Sequence, residues 1–371
     1  MTMGDDRKTN QILRLLFWES TIRCNLSCAH CRRIDDNDTA CQDLTTVQAK
    51  RLIDQLADVG AEQPFMPILV FSGGEPLCRE DLFELVGYAR SLDIRAALAT
   101  NGTLVDSATA RRIKDSDIAR VSVSLDGATA DIHDKLRQLQ GSFDQALAGI
   151  KCLGAEEVPF QINITLTKNN AHQIEDIYEL SKSLGAVAVH IFMLVPVGCG
   201  QVLAETDMLS PEQYEDMLVK ICRLDARGEI EIKVTCGPHY ERVLRQRGLH
   251  QTLRAGGGPH GAAPGAHPHG EPTRGCLAGM GVIFVAHQGD VFPCGYLPVK
   301  CGNVMQEGLK DIWYNSADLA RMRDTDALEG KCGYCGYRRI CSGCRARAFS
   351  VNGNYMAEEP FCAYVPPEAN V

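Results

Sequence analysis

Short apolar runs alternate with amphipathic segments over residues 12–195. The apolar runs at 12–18, 68–71, 95–99, 120–125, 160–166 and 187–194 predict strands. Between them, segments 45–59, 80–91, 106–116, 143–153 and 174–184 carry apolar residues at helical spacing. The first helix has Thr45 as its expected N-cap and Gly60 just past its end. Strand–helix alternation of this kind builds right-handed βαβ units on a parallel sheet. Six units predict an α/β fold, a partial (β/α)6 barrel of the TIM type, with its chemistry at the C-terminal ends of the strands.

Past 195 the pattern changes. A helix at 211–227, a strand at 230–234 and a basic helix at 240–247 precede a Gly, Pro and His rich stretch at 255–272. That stretch reads as a connector, although its His260, His267 and His269 are metal-ligand types. Apolar runs at 282–286 and 291–293 around Gln288-Gly289-Asp290 predict a hairpin. The expected organisation is a tail at 1–11, a barrel at 12–230, a linker at 231–275 and a cysteine-rich domain at 276–371.

A net charge of −9 argues against a broad nucleic-acid surface, since phosphate contacts need clustered cations. No run approaches the apolar length of a membrane span, and the polar N-terminus lacks a signal-peptide core. The 17 cysteines are odd in number and spread through a long chain. That pattern favours metal or redox use in a reducing compartment over a disulfide framework, and predicts a cytoplasmic protein without nucleic-acid or membrane partners.

Cys24, Cys28 and Cys31 follow the first predicted strand, in the run Cys24-Asn25-Leu26-Ser27-Cys28-Ala29-His30-Cys31. Three thiolates hold three irons of a [4Fe–4S] cluster and leave the fourth iron open to a small ligand. Gly73-Gly74-Glu75-Pro76 follows the second strand; its glycines allow close backbone approach and Glu75 offers oxygen to an ammonium group. Together these motifs resemble the radical S-adenosylmethionine (SAM) enzymes. The resemblance implies that Gly73, Gly74, Glu75 and Pro76 hold the methionine amine of SAM. It also implies SAM contacts from Ser124 and Arg137, with a solvated surface arginine as the alternative for Arg137. Thr100-Asn101-Gly102 and Asn163 sit at strand ends and either line the pocket or serve turns and packing.

Eight cysteines, Cys276, Cys294, Cys301, Cys332, Cys335, Cys341, Cys344 and Cys362, mark the C-terminal region. The run from Cys332 to Cys344 is too compressed for an ordinary zinc ribbon, although structural zinc remains an alternative. It looks like the SPASM extension of radical SAM enzymes, which carries auxiliary [4Fe–4S] clusters. The resemblance implies an outer cluster on Cys332, Cys335, Cys341 and Cys362, and an inner one on Cys276, Cys294 and Cys344. The inner cluster is then open at one iron or completed by Cys301. In sulfatase-maturing members an aspartate base follows the cysteine matching Cys294; here that residue is Gly295. Cys41, Cys78, Cys152, Cys199 and Cys222 fit no cluster pattern and read as packed or free thiols.

Stretches 15–19, 190–196, 233–240 and 332–347 resemble the haem b synthases of the sirohaem-derived haem pathway. That resemblance implies oxidative loss of CO2 from two propionates of iron-coproporphyrin III, leaving vinyl groups, with electrons from a flavodoxin or ferredoxin. Carboxylates need cations, and Arg242, Arg245, Arg247, Arg338, Arg339, Arg345 and Arg347 are the candidates. His239 or His190 would ligate the porphyrin iron, with Tyr240 beside it; ordinary structural histidines are the alternative. Three other readings compete, one of them a related porphyrin enzyme that removes acetate groups from a sirohaem derivative. A peptide maturase would want a recognition module ahead of residue 12, and an iron–sulfur electron carrier would not need the open-iron motif.

Overall fold

A computed structural model describes residues 11–33, 42–249 and 275–367. His260, His267, His269 and Cys41 lie outside the described residues. The parallel strands are β1 (Leu15–Glu19), β2 (Ile68–Ser72), β3 (Ala96–Thr100), β4 (Arg120–Ser124), β5 (Phe160–Leu166), β6 (Ala188–Met193) and β7 (Glu231–Thr235). They follow one another in chain order across the sheet. The intervening helices are α1 (Thr46–Ala61), α2 (Leu82–Ser91), α3 (Ser107–Asp115), α4 (Ala130–Arg137), α5 (Ser142–Ala155), α6 (Ile174–Ser183) and α7 (Pro211–Asp225). After β7 comes α8 (His239–Gln246).

The alternation follows from side-chain pattern. Each strand turns one apolar set toward the helices, such as Val121 and Val123 of β4, Ile162 and Ile164 of β5, and Val189 and Ile191 of β6, all buried. The opposite face of the same strands carries Ser122, Ser124, Asn163, Thr165 and His190, which are partly exposed. A parallel sheet buried on both faces reads as continuous apolar runs. The polar inner face therefore marks a lumen rather than a packed core.

Thr45 caps α1 as expected, accepting from the Gln48 amide at 3.3 Å in a capping box. Gly60 is not the stop, because α1 continues to Ala61. Glycine is needed there for space: a Cβ would stand 2.1 Å from Met66 Sδ. Helix α4 has only Ile132 and Leu136 as large apolar residues, so hydrophobic spacing does not announce it.

The cysteine-rich region continues the barrel sheet. Strand β8 (Val282–Val285) pairs in parallel with β1, from Leu15 opposite Val282 to Trp18 opposite Val285. Strand β9 (Asp290–Phe292) returns antiparallel, forming the expected hairpin through Gly289 at φ 93°, and β10 (Gly302–Asn303) closes that edge. The strand run is thus longer than six units predict, with β7 added at one edge and β8 at the other. Helices α9 (Leu309–Asn315), α10 (Ala317–Arg323), α11 (Gly330–Tyr334) and α12 (Arg345–Asn352) complete the region. The Gln55 side chain on α1 clamps it, donating to Val304 O at 3.0 Å and accepting from the Leu309 amide at 2.7 Å. Among the described residues no helix is long and apolar enough to cross a membrane.

Candidate cluster and SAM sites

The Cys24–Cys31 loop leaves the C-terminal end of β1 and is fixed by backbone contacts on three sides. The Gly73–Glu75 turn binds its first leg: the Gly74 amide donates to Thr21 O at 2.7 Å and the Glu75 amide to Arg23 O at 2.8 Å. Gly73 has φ 148°, and a Cβ on Gly74 would lie 2.2 Å from Arg23 O, so only glycine permits this approach. On the second side, the Ala29 amide donates to Leu136 O at 2.9 Å, which ties the loop to α4. On the third, the turn after β6 grips residues 31–33, with the Cys199 amide 2.8 Å from Arg33 O and the Gly200 amide 3.3 Å from Cys31 O.

Glu75 is enclosed by its own turn and the end of β3. Its carboxylate is fully buried and turned inward, accepting from Thr100 Oγ1 at 2.8 Å, the Asn101 amide at 2.8 Å and the Leu77 amide at 3.1 Å. Burial raises its pKa to about 7 against those donors. The side chain braces the turn, and Asn101 extends the brace by donating to Asn25 Oδ1 within the cysteine loop at 2.9 Å.

Arg137 is also more engaged than expected. It is buried on α4, with Nη2 2.7 Å from Asp126 Oδ2 and Nη1 3.7 Å from Cys28 Sγ. Burial rules out the solvated surface position, and the guanidinium lies between Asp126 and a cysteine of the cluster loop. Asp126 is held below the usual carboxylate range: burial would raise it, and Arg137, His30 and His133 outweigh that. Ser124 and Asn163 face each other across β4 and β5 on the lumen side.

The C-terminal cysteines form two groups. Cys332, Cys335, Cys341 and Cys362 line one small pocket together with His239 and Arg242. Cys276, Cys294 and Cys344 form the second, and their thiols perturb one another. The fourth member of that group is Cys236, which hydrogen-bonds Cys344 and whose thiol is pushed well up by that bond and by burial. Cys301 is elsewhere: its sulfur donates to Val299 O at 3.5 Å, and its electrostatic neighbours are Asp318 and Arg323. The expectation that Cys301 completes the inner group is thus replaced by Cys236. Spacing could not find Cys236, because its partner Cys276 lies 40 residues on, past the His-rich stretch. Its place at the C-terminal end of β7 was the available signal. The residue is held at φ 56°, an uncommon conformation for a non-glycine, with its carbonyl fixed by Tyr214 OH at 2.9 Å.

The three donor sets are all thiols, the ligand type of iron–sulfur clusters. Burial raises the thiols of Cys24 to about 11 and of Cys294 to about 12, so cluster loading must displace protons.

Of the four residues expected at the substrate, His190 faces the lumen, its Nδ1 2.9 Å from Gln161 Nε2 and next to Asn163 in the strand register. Burial, with Lys233 and Arg120, keeps it neutral. The other three lie away from β6, around α8, and both ring nitrogens of His239 are buried without a hydrogen-bond partner among the described residues. His239 is buried in the wall of the outer cysteine pocket, edge-on to Tyr214 at 5.2 Å. Tyr240 donates to Asp225 at 2.5 Å, and Arg242 pairs with Glu215 while lying over Tyr364. Arg347 is likewise committed, to Glu359 Oε1 at 3.0 Å and Tyr214 OH at 2.9 Å.

Gly74→Ala should weaken SAM binding at least tenfold, because the added Cβ expels the Arg23 carbonyl and shifts the cysteine loop. Equilibrium binding of SAM to the reconstituted protein measures this, and an affinity within twofold of the parent would contradict the assigned packing.

Comparison with known proteins places these sites in a family. Residues 18–181 match the radical SAM superfamily and residues 276–345 match SPASM, an iron–sulfur cluster-binding domain. The AdoMet-dependent heme synthase of Methanosarcina barkeri is 43% identical, over 95% of this chain and 97% of that one. The AdoMet-dependent heme synthase of Oleidesulfovibrio alaskensis is 40% identical, over 95% of this chain and 88% of that one. The crystal structure of Streptococcus suis SuiB bound to precursor peptide SuiA shares the fold, with a TM-score of 0.72 at 16% identity over 96% of this chain and 78% of that one. The chain belongs to the SPASM-bearing radical SAM enzymes, in the family that contains the AdoMet-dependent heme synthases, and uses a [4Fe–4S] cluster, SAM and auxiliary iron–sulfur clusters.

Proposed function

We propose that this enzyme converts iron-coproporphyrin III to haem b by oxidative decarboxylation of two propionates. The observation that carries the reading is the four-cysteine inner group. A cluster held by Cys236, Cys276, Cys294 and Cys344 has no open iron, so it suits taking up an electron rather than binding substrate. Loss of CO2 from a propionate radical leaves one electron to remove, and such a cluster beside the SAM site is a fitting acceptor. The names of the heme synthase relatives point the same way.

Cys24, Cys28 and Cys31 would hold the SAM-binding cluster, and Cys332, Cys335, Cys341 and Cys362 the outer one. When bound, cluster and SAM together supply a carbon-centred radical that abstracts a hydrogen atom. The chain itself then has three tasks. The backbone of Gly73 and Gly74 positions the amine of SAM, Ser124 and Asn163 line the lumen beneath it, and Arg137 fixes the Cys28 sulfur. His190, neutral and facing the lumen, is the histidine available to the porphyrin iron. A reductant of the flavodoxin or ferredoxin class supplies the first electron.

Two experiments test this. Anaerobic turnover of the reconstituted protein with reductant, SAM and iron-coproporphyrin III should yield mono-vinyl and then di-vinyl porphyrin, detected by mass spectrometry. 5′-Deoxyadenosine without porphyrin change would sink the substrate. For the ligand set, Cys236→Ala should alter the electron paramagnetic resonance signal of one auxiliary cluster and lower bound iron, whereas Cys301→Ala leaves both unchanged. The reverse pattern would restore Cys301.

A further inference from the structure

The residue after the last SAM-cluster cysteine is an arginine whose side chain is set with unusual care. The backbone of Arg32 is pinned by the turn after β6, where a Cβ on Gly198 would stand 2.1 Å from Arg32 O. Its guanidinium carbon lies 4.2 Å from the centroid of the Phe284 ring on β8. Arg32 Nη2 donates to Glu19 Oε1 at 2.8 Å, and Glu19 Oε2 is held in turn by His287 Nδ1 at 3.0 Å. Burial would raise Glu19, but Arg32 and His287 bring it down to about 2, so it stays ionised and fixes the guanidinium's orientation.

Arg32 also occupies the space in front of Gly295, where a Cβ would lie 3.3 Å from Phe284 Cδ2 and 3.5 Å from Arg32 Cδ. Tyr296, next along, is within electrostatic reach of Cys236, Arg32, Cys294 and Cys31 at once. Cys31 belongs to the SAM-cluster group and Cys236 and Cys294 to the inner group. The Arg32 side chain thus runs from Cys31 of the first group to Gly295, the neighbour of Cys294 in the second. Among the described residues its side-chain hydrogen bond is the one to Glu19, and the side chain keeps 19% exposure.

We propose that Arg32 is the positioning residue for the reacting carboxylate of the substrate, with Tyr296 forming the adjoining wall. This rests on the porphyrin decarboxylase reading above. A guanidinium matches a carboxylate with two parallel hydrogen bonds. Held there, the propionate presents its β-carbon toward the SAM side and its carboxylate toward the inner cysteine group. After the hydrogen atom leaves the β-carbon, the bond from the α-carbon to the carboxylate breaks. The carboxylate departs as CO2, the vinyl double bond forms, and one electron passes to the oxidised inner iron–sulfur cluster. Glu19, already ionised and paired, keeps the guanidinium aimed when the substrate charge leaves as neutral CO2.

The test compares the parent with Arg32→Gln and Arg32→Lys. Iron and sulfide content, and SAM cleavage without porphyrin, establish that each variant is loaded. Affinity for iron-coproporphyrin III and for its tetramethyl ester is then read from the shift of the porphyrin absorption band, alongside vinyl formation. Arg32→Gln should bind the free acid at least tenfold more weakly and the ester within twofold of the parent. Vinyl formation should fall at least a hundredfold, with 5′-deoxyadenosine still released. Arg32→Lys keeps the charge without the planar fork and should fall between, which preserves the test if the glutamine variant fails to load. Free-acid affinity and vinyl yield in the variants within twofold of the parent would overturn the proposal. A parent that leaves the porphyrin unchanged would overturn the underlying decarboxylase reading instead.

Discussion

The parallel pairing of β1 with β8 is the constraint on which the arrangement depends. Strand β1 delivers the SAM-cluster loop from its C-terminal end, and β8 delivers the turn that carries His287, from which β9 returns antiparallel toward Cys294, Gly295 and Tyr296. Because the strands run in register and in the same direction, their ends meet on one side of the sheet. Glu19 closes that junction, joined to His287 past β8 and to Arg32 past Cys31. A second, smaller domain attached by a flexible linker would leave the distance between cluster sites undefined. Sharing a sheet makes it a fixed property of the fold.

Buried charge is the recurring means of fixing these sites. Arg347 and Glu359 are almost fully buried, and Glu359 also accepts from the Cys344 amide at 2.6 Å and donates its own amide to Cys332 Sγ at 3.4 Å. One ion pair therefore touches both auxiliary cysteine groups. Breaking such a pair by removing one partner costs about 3–5 kcal/mol, because the survivor is left charged and unpaired. Arg137 with Asp126 does the same for Cys28. Positive charge and amide donors around thiolates also favour the more negative, reduced state of a bound cluster.

Much of this was legible in the chain. The six strand–helix units, the three-cysteine loop, the glycine turn and the β8–β9 hairpin all announce themselves through local pattern, which acts over a few residues. What local pattern missed was set by tertiary contact. Gly60 looks like a helix stop and is a packing gap for Met66. Glu75 offers a carboxylate by its place in the turn, and only the fold shows that this carboxylate also braces Thr100 and Asn101. Tyr240 and Arg242 offer polar groups by type, and only the fold shows them paired with Asp225 and Glu215. Cys236 has no spacing partner, and only the meeting of β7's end with the hairpin brings it to Cys294 and Cys344.

In the proposed reaction the substrate sits between a radical source and a closed, four-cysteine electron acceptor. A single-turnover reaction, frozen and read by electron paramagnetic resonance while products are counted, tests it most directly. With the SAM cluster alone pre-reduced, one reduced auxiliary cluster should appear for each vinyl group formed, with that signal lost or altered in Cys236→Ala. Vinyl formation with both auxiliary clusters remaining oxidised would contradict it.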